Sequence, residues 1–341
     1  MPSPRTSPHR PALAPVTPQR ARRRWLGAAT ALVAACSLGL PSAWAQADFP
    51  SKPIRLVLPF GAGSSDSLAR IVGHKVSAVL GQPILVENKP GAGAVIGTDF
   101  VARSQPDGYT LLFLGGGSLT PVLVKDLKVN FKESFTPVVA LGRGGMMVMV
   151  SAATPVHNLK ELVEYSRKHP DKLNFGYAAT SARVAGEVLN AVGPMTATTV
   201  PYKGSDAVLT ALISNEVQIA ADVPVQFLPM IKEGKVRPIV YGGNERSPIL
   251  PDVPTLAEAG HPNLFFPASF GVWAPKGVPD EVIRKLNQAF NSVLRDPEVV
   301  NRLTQASMVA TGGAPEEHSR QIDSEHRGWA EAATKVGFKP Q

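Results

Sequence analysis

Residues 54–76, IRLVLPFGAGSSDSLARIVGHKV, form the stretch on which the rest of the chain depends. Ile54–Leu58 is a continuous apolar run that predicts a buried strand, and Pro59, Gly61 and Gly63 then break the run as a turn does. The apolar residues that follow recur at the spacing of one buried helix face: Leu68, Ile71, Val72 and Val76. The stretch therefore predicts a strand, a glycine turn and an amphipathic helix.

The start of this helix predicts a chemical property. Ser64 or Ser65 is the expected N-cap, and Asp66 falls in the first turn, where a carboxylate favours the helix dipole. A glycine turn that leads into a helix leaves several backbone N–H groups around one concavity, and such a concavity binds anions. We therefore expect an anion site at this turn.

The first 45 residues read as an export signal. Residues 1–24 contain six arginines and no acidic residue, and an apolar run follows from Trp25 to Leu40. Ala43-Trp44-Ala45 then matches a signal-peptidase site. We expect cleavage after Ala45. The segment RRRWL at 22–26 resembles the twin-arginine pattern, so general secretion and twin-arginine export both stay open. A lipoprotein attached at Cys36, within the lipobox-like segment VAAC, is the alternative.

Removal of this segment changes what charge and cysteine content imply. The chain has 35 Lys and Arg and 27 Asp and Glu, but six of the basic residues lie before residue 46, which leaves 29 against 27, or +2. The basic character therefore belongs to the leader and does not indicate a nucleic-acid-binding surface. Cys36 is the only cysteine, so the cleaved chain has no disulfide, cysteine nucleophile or thiolate metal site.

Two further strand and glycine-turn units follow the first. Residues 83–88 predict a strand that runs into a turn at Gly91-Ala92-Gly93, and residues 109–114 predict a strand that ends at Gly115-Gly116-Gly117-Ser118. Three such units argue for a parallel α/β sheet whose loops converge at the C-terminal strand ends, where these folds bind ligands.

The second part of the chain repeats the α/β pattern. Two apolar runs on either side of the glycines at 142–145 predict a crossing into a second domain. Asn158 is the expected cap of one helix. Leu173–Tyr177 predicts a strand, residues 178–183 a turn, and residues 184–192 a helix. After the leader, about 296 residues remain, enough for two domains with their own cores.

Several motifs, taken in order, resemble the solute-binding proteins of tripartite tricarboxylate transporters, the Bug or TctC-like family. The similarity extends over residues 48–341. The motifs are PIRLVLPF at 53–60 with Gly61, Gly63, Asp66 and Ala69-Arg70, VENKPGAG at 86–93 with Gly97, PDGYTL at 106–111, VPYKG at 200–204, DVPTLAEAG at 252–260 and WAPKG at 273–277.

The resemblance implies an α/β fold, a two-domain periplasmic binding protein of type II-like architecture, with the ligand in the cleft between the domains. The expected domains are 48–147 plus 251–341, and 148–250. Backbone amides and ordered waters would hold a small carboxylate. The residues expected to bind it are Phe60, Gly61, Ala62, Gly63, Ser64, Ser65, Asp66, Gly93, Ala94, Val95, Ser118, Thr180, Ser181, Arg183, Lys203, Gly204, Ser205 and Asp222.

The same resemblance implies a periplasmic protein that is not an enzyme, needs no cofactor and works as a monomer. Its partner would be the two-component membrane permease of the transporter. A periplasmic sensor that binds a carboxylate is an alternative, and a serine hydrolase using Ser118 is a more remote one. The six histidines after the leader show no metal-ligand spacing, and no G-x-G-x-x-G, G-x-S-x-G or P-loop pattern occurs.

Gly61, Gly63, Gly91 and Gly93 either offer backbone amides to a ligand or simply permit turns with positive φ. Five other site residues also have a structural alternative. Phe60 is either core or cleft wall, and Asp66 either stabilises the helix start or supports the site from behind. Arg183 stands where the family commonly has histidine, and it either clamps a carboxylate or fills the cleft. Lys203 is either a surface lysine or faces the ligand. Asp222 either binds the ligand or ties hinge residues together.

Overall fold

The computed structural model describes residues 49–115, 129–193 and 195–339. The strands of these residues are β1 (Ile54–Leu58), β2 (Ile84–Asn88), β3 (Thr110–Leu114), β4 (Phe135–Gly145), β5 (Met147–Ser151), β6 (Leu173–Tyr177), β7 (Ala197–Pro201), β8 (Ile219–Asp222), β9 (Val236–Tyr241), β10 (Pro267–Pro275) and β11 (Met308–Ala310). The helices are α1 (Ser64–Leu80), α2 (Val95–Ala102), α3 (Phe131–Ser134), α4 (Leu159–Lys168), α5 (Thr180–Val192), α6 (Ser205–Ile213), α7 (Leu228–Lys232), α8 (Asp280–Val293), α9 (Pro297–Gln305) and α10 (Pro315–Lys335). Short 3₁₀ segments lie at Ala92–Ala94 and Pro224–Gln226.

The strands form two separate sheets. One has six strands in the order β11-β4-β10-β3-β1-β2, and helices α1, α2, α8, α9 and α10 pack around it. The other has five strands in the order β7-β6-β8-β5-β9, with α5, α6 and α7 against it. We call the six-stranded sheet with its helices the first lobe and the five-stranded sheet with its helices the second lobe.

Each lobe has a core of apolar side chains buried from solvent, which explains why the central strands are continuously apolar and do not alternate with polar residues. In the first lobe all five residues of β3 are buried, and Phe113 is among the largest fully buried side chains. In the second lobe Met147 and Met149 of β5 pack with Phe227 and Leu212 in one buried cluster. The fold is an α/β arrangement of two sheets, as the sequence predicted.

The expected parallel sheet is confirmed only in part. β1 pairs in parallel with β2 and β3, and β6 pairs in parallel with β7 and β8. The other pairings are antiparallel. In the first lobe β10 returns from the second lobe and inserts between β3 and β4 in the opposite direction, and β11 pairs with β4. In the second lobe β5 runs antiparallel to β8 and β9. Both sheets are therefore mixed.

Three local predictions were wrong. The crossing into the second lobe is present, but its predicted position was wrong, because the glycines at 142–145 lie inside β4 and the chain leaves the sheet one residue later, at Met146. The N-cap of α1 is Gly63, and Ser64 and Ser65 are already helical. Thr180–Arg183 forms the first turn of α5 and is not a loop before it.

Other local predictions are confirmed. The side chain of Asn158 caps α4 by accepting a hydrogen bond of 2.9 Å from the amide of Glu161. Asp66 lies in the first turn of α1, and Arg70 donates two hydrogen bonds to its carboxylate at 3.0 Å each. The pair fixes Asp66 along the outer side of the helix start.

The two connections between the lobes run side by side. The amide of Met146, on the outgoing connection, donates to the carbonyl of Phe266 at 2.9 Å. The amide of Gly242, on the return, donates to the carbonyl of Met146 at 2.8 Å, and the amide of Phe266 donates to Gly242 at 2.9 Å. Both crossings therefore share one small hydrogen-bonded patch, which we call the hinge because any rotation of one lobe against the other has to pass through it.

Where the structure describes the chain, none of its helices is both long enough and apolar enough to cross a membrane. The domain boundaries expected at 147–148 and 250–251 remain a prediction, because sheet membership alone does not locate them.

Candidate ligand-binding site

The C-terminal ends of the parallel strands in the two lobes face each other. The loops after β1 and β2 come from the first lobe, and the loops after β6, β7 and β8 come from the second. This is the edge at which open α/β sheets bind ligands. Two adjoining cavities lie between these loops, and both have Phe60 and Ala178 in their walls.

The lobes touch through their main chains beside these cavities. The amide of Gly61 donates to the carbonyl of Lys203 at 2.9 Å. A Cβ built on Gly61 would lie 2.9 Å from that carbonyl oxygen, and one built on Gly63 would lie 2.7 Å from the Cβ of Ser205. Gly204 in turn lies against the carbonyl of Ala62. Side chains at these glycines would hold the lobes apart.

The smaller cavity has a volume of about 70 Å³. At about 15 Å³ for each water-sized group, it accommodates about five such groups, the size of a small organic acid. Its wall consists of Phe60, Gly61, Ser65, Gly115, Met146, Ala178, Ala179, Ser181, Ala182, Gly204, Ser205, Ala221, Asp222, Val223, Pro267, Ala268, Ser269 and Phe270. Among the residues that the structure describes, this wall contains no lysine or arginine.

Three helices begin at this smaller cavity: α1 at Ser65, α5 at Ser181 and Ala182, and α6 at Ser205. Their N-caps are Gly63, Ala179 and Gly204, and none of the three supplies a side-chain cap. The first amides of a helix have no partner within the helix, so these donors are left for a ligand. The positive ends of three helix dipoles favour an anion here.

Asp222, at the end of β8, places an acidic group on one side of the smaller cavity, opposite in charge to the helix starts. The hydroxyl of Ser205 donates to its Oδ2 at 2.6 Å, and the amide of Val223 donates to its Oδ1 at 2.7 Å. Burial raises the pKa of the Asp222 carboxyl to about 6, although the hydrogen bonds from Ser205 and Val223 oppose the shift. The nearby charge of Asp206 raises the pKa further.

The larger cavity, of about 900 Å³, adjoins the first and is bordered by basic side chains. Arg183 and Lys203 both lie in its wall. Arg183 is only 9% exposed, and its buried Nε atom has no hydrogen-bond partner. The ring of Phe338, which follows α10 of the first lobe, lies 4.6 Å from the guanidinium carbon of Arg183. Arg183 is thus held in place by stacking and contributes positive potential to the cleft.

The loop after β2 has an unusual backbone where it lines the larger cavity. Ala92, Gly93 and Ala94 have φ angles of 47°, 61° and 82°. Alanine in the left-handed region costs about 1–2 kcal/mol. Strain of this kind is concentrated at functional loops, where the surrounding structure maintains it. A Cβ built on Gly93 would lie 2.9 Å from Oγ1 of Thr180, so this loop also meets the second lobe.

The similarity of this chain to known proteins agrees with the geometry of the cleft. Residues 68–337 match the family described as "Tripartite tricarboxylate transporter family receptor", TctC. The chain belongs to that family. Protein BugT of Bordetella pertussis is 29% identical over 297 residues, which cover 85% of this chain and 91% of BugT.

Solved structures of TctC-family and Bug proteins have the same fold. The structure described as periplasmic binding protein BugD superposes with a TM-score of 0.81 at 32% identity, over 86% of this chain and 100% of that one. MatC from Rhodopseudomonas palustris, solved with bound malate, superposes with a TM-score of 0.79 at 31% identity, over 83% of this chain and 99% of that one. The fold predicted from the sequence is thereby confirmed.

The residues that the sequence predicted for the site of this TctC-family chain fall into four groups. In the smaller cavity lie Phe60, Gly61, Ser65, Ser181, Gly204, Ser205 and Asp222. In the larger cavity lie Phe60, Gly93, Ala94, Val95, Thr180, Arg183 and Lys203. Outside both walls, on the turn after β1 and in the first turn of α1, lie Ala62, Gly63, Ser64 and Asp66. Ser118 lies outside the described residues. Their binding roles remain a prediction.

Sequence reasoning missed the contribution of β10. Pro267, Ala268, Ser269 and Phe270 form one wall of the smaller cavity. The hydroxyl of Ser269 donates to Oε2 of Glu325 on α10 at 2.7 Å, and burial raises the pKa of that carboxyl. A buried serine within an otherwise apolar run was the available signal.

Metal chemistry finds no support in residues 49–115, 129–193 and 195–339. They contain no group of three His, Cys, Asp or Glu side chains close enough to coordinate a metal ion. His318, which is buried against Trp273 with ring centroids 4.2 Å apart, belongs to the core of the first lobe.

Proposed function

We propose that this TctC-family protein captures a small organic carboxylate in the smaller cavity and delivers it to the two-component permease of a tripartite transporter. The observation that carries the proposal is the convergence of the uncapped starts of α1, α5 and α6 on one cavity. A carboxylate there would accept hydrogen bonds from backbone amides, with no basic side chain in contact. The malate bound to MatC supports the ligand class.

Each helix start contributes only modestly. A charge at one exposed helix terminus gains about 0.3–1 kcal/mol, and more when partly buried. Micromolar affinity needs about 8 kcal/mol. Helix starts from both lobes must therefore act on the ligand together, which favours a structure in which the lobes have closed around it.

Arg183 and Lys203 have a separate role in this proposal. They border the larger cavity next to the binding site, where their charges raise the local concentration of anions. Their effect should appear in the rate of association and weaken with added salt.

The first experiment is a thermal-shift and calorimetry panel on residues 46–341 with dicarboxylates, tricarboxylates, aromatic acids and amino acids. A ligand at 100 times its dissociation constant should add about 2.7 kcal/mol to the free energy of unfolding. Chromatography of the recovered ligand should show it unchanged, since we propose a binding protein and not an enzyme. A panel without any stabilising acid would contradict the proposal.

The cellular part of the proposal has its own tests. We expect the full chain to be exported to the periplasm and released by osmotic shock, with its N-terminus at Gln46. Light scattering should give the mass of a monomer with and without ligand. Deletion of the permease genes should abolish uptake of the ligand and leave its binding to the purified protein unchanged. Uptake that persists would favour a sensor role.

A further inference from the structure

The wall of the smaller cavity is divided between hydrogen-bond donors and acceptors. The donors available to a ligand are the first amides of α1 and α5, which have no partner within their helices and belong to the wall residues Ser65, Ser181 and Ala182. The acceptors are the two carboxylate oxygens of Asp222 and, beside them, the hydroxyl oxygen of Ser205. The two kinds of group border the same space of about 70 Å³.

The position of the Ser205 proton determines whether this hydroxyl acts as a donor or as an acceptor towards a ligand. Its Oγ donates to Oδ2 of Asp222 at 2.6 Å, a short distance typical of a hydroxyl bound to a carboxylate. A serine hydroxyl has a single proton, so Ser205 can offer a ligand only the lone pairs of its oxygen. The amide of Val223 fixes the other carboxylate oxygen at 2.7 Å and prevents the group from turning away.

A ligand with a carboxylate but no donor group could form hydrogen bonds only with the donors of this wall. Its oxygens would accept from the helix starts, but nothing in it would donate to Ser205 and Asp222. Each carboxylate oxygen of Asp222 already accepts one hydrogen bond, from Ser205 or from Val223, and can accept another. The negative charge of a ligand placed next to Asp222 is unfavourable unless a donor group of the ligand lies between the two. Arg183 and Lys203 border the larger cavity and are absent from the wall of the smaller one, so they do not neutralise Asp222 from within it.

We infer that the ligand carries a hydrogen-bond donor, a hydroxyl or an ammonium group, on the carbon next to its carboxylate, and that Asp222 with Ser205 selects for this group. The inference rests on the proposed function and specifies its ligand. Because the helix starts and the Ser205–Asp222 pair line one cavity of about 70 Å³, we place the donor on the carbon next to the carboxylate. Burial, which raises the pKa of Asp222, is consistent with a carboxyl that needs a donor partner.

Matched acids that differ at one position test this inference. Calorimetry on residues 46–341 would compare succinate, malate and aspartate, then glutarate, 2-hydroxyglutarate and glutamate, then propionate, lactate and alanine, with both enantiomers of each chiral acid. We expect the 2-substituted acid of at least one chain length to bind about 10-fold or more tightly than its unsubstituted parent. The difference in affinity between the 2-hydroxy acid and the 2-amino acid shows whether the donor of the ligand is a hydroxyl or an ammonium group.

Two variants then assign the selectivity to these residues. Asp222→Asn keeps the shape of the side chain but removes its charge, and Ser205→Ala removes the neighbouring oxygen. Each should reduce the ratio between substituted and unsubstituted acids by about 5-fold or more, with a smaller effect on the parent acid itself. Circular dichroism and the melting temperature check folding, and Asp252→Asn, at an exposed position outside both cavity walls, is a matched charge control.

The possible failures are distinguishable. If unsubstituted and substituted acids bind equally well at every chain length, the inference is wrong and the proposed function stands. If both variants keep the parent's affinity ratio between substituted and unsubstituted acids, other residues recognise the substituent and the inference is also wrong. If no acid of these series binds, the inference is wrong, and the proposed function is overturned only if the wider panel of acids also shows no binding.

Discussion

The phenolic oxygen of Tyr241 accepts a hydrogen bond of 2.7 Å from the amide of Gly145. Gly145 is the last residue of β4 in the first lobe, and Tyr241 is the last residue of β9 in the second. The same hydroxyl donates to the carbonyl of Ser307 at 2.8 Å. One side chain therefore ties the second lobe to two points of the first, directly at the hinge.

Loss of this hydroxyl should weaken the fold. Tyr241→Phe leaves a buried amide and a buried carbonyl without partners, and we expect the free energy of unfolding to fall by about 1–3 kcal/mol. Tyr202→Phe is the control, since its hydroxyl donates to Glu216 on the exposed surface, where water replaces the contact. Urea unfolding measures both. Equal effects of the two substitutions would argue against a special role for the hinge contact.

The main-chain contact between Gly61 and Lys203 gives a second prediction. Gly61→Ala places a methyl group 2.9 Å from the carbonyl of Lys203, so the lobes cannot approach as closely. We expect a penalty of about 1–3 kcal/mol on ligand binding, with a smaller change in the stability of the free protein.

Gly328→Ala is the matched control for this glycine substitution. Gly328 lies within α10, and a Cβ built there meets no atom within 4 Å. We expect this variant to gain about 1 kcal/mol in stability from helix propensity and to bind ligand as the parent does. An unchanged affinity in Gly61→Ala would show that this contact is not made in the bound state.

Asp222 makes the stability of the ligand-free protein depend on pH. Its pKa is raised from 3.8 to about 6, so between these values the folded protein retains a proton that the unfolded chain has released. The contribution of this group to the free energy of unfolding therefore decreases as the pH rises through this window, and above about pH 6 the ionised carboxylate is a net cost.

Asp222→Asn should remove this dependence. Relative to the parent, we expect the variant to gain little at pH 4 and progressively more towards pH 7, because the amide never ionises. Guanidinium unfolding of both proteins at several pH values between 4 and 7.5 measures the difference. A constant difference across the range would mean that Asp222 titrates as an ordinary exposed carboxylate.

The left-handed alanines of the loop after β2 give another test. Ala92→Gly relieves about 1–2 kcal/mol of backbone strain at φ 47° and adds about 0.4–1 kcal/mol of unfolded-state entropy, so stability should be unchanged or slightly higher. Ala78→Gly, the same chemical change within α1, should cost about 1 kcal/mol. Thermal unfolding of both variants shows whether the loop conformation exists in solution. A loss of about 1 kcal/mol in both would contradict it.

Arg183 should act on the rate of capture. Arg183→Gln is expected to slow association and flatten its salt dependence, because it removes a charge beside the cleft. Arg103→Gln is the matched control, since Arg103 pairs with Asp99 on the exposed surface. Stopped-flow fluorescence at low and high salt measures both. A change in the dissociation rate alone would indicate direct contact with the ligand instead.

Local sequence signals predicted much of this fold. The apolar run at Ile54–Leu58 and the helical spacing after it identified β1 and α1, because burial on both faces of a strand leaves a continuous apolar pattern. The glycine turns correctly indicated the edge at which the loops meet. Which residue caps α1 could not be read, since serine is suited both to the N-cap and to the first helical turn.

Long-range relationships were not available from the sequence. The insertion of β10 between β3 and β4 depends on a return from the second lobe, and no local pattern encodes the partner of a strand. For the same reason Ser269 was missed as part of the cavity wall. The pairing of Ser205 with Asp222, 17 residues apart, likewise depends on the adjacency of α6 and β8.

The contact between Gly61 and Lys203 uses peptide groups only. Side chains that recognise the bound molecule can therefore be exchanged without altering the surface through which the halves dock. Laboratory evolution of a new preference would have freedom at Ser205 and Asp222, while Gly61 stays fixed. A fluorescent reporter of docking built on this scaffold would thus serve unchanged for a series of retargeted variants.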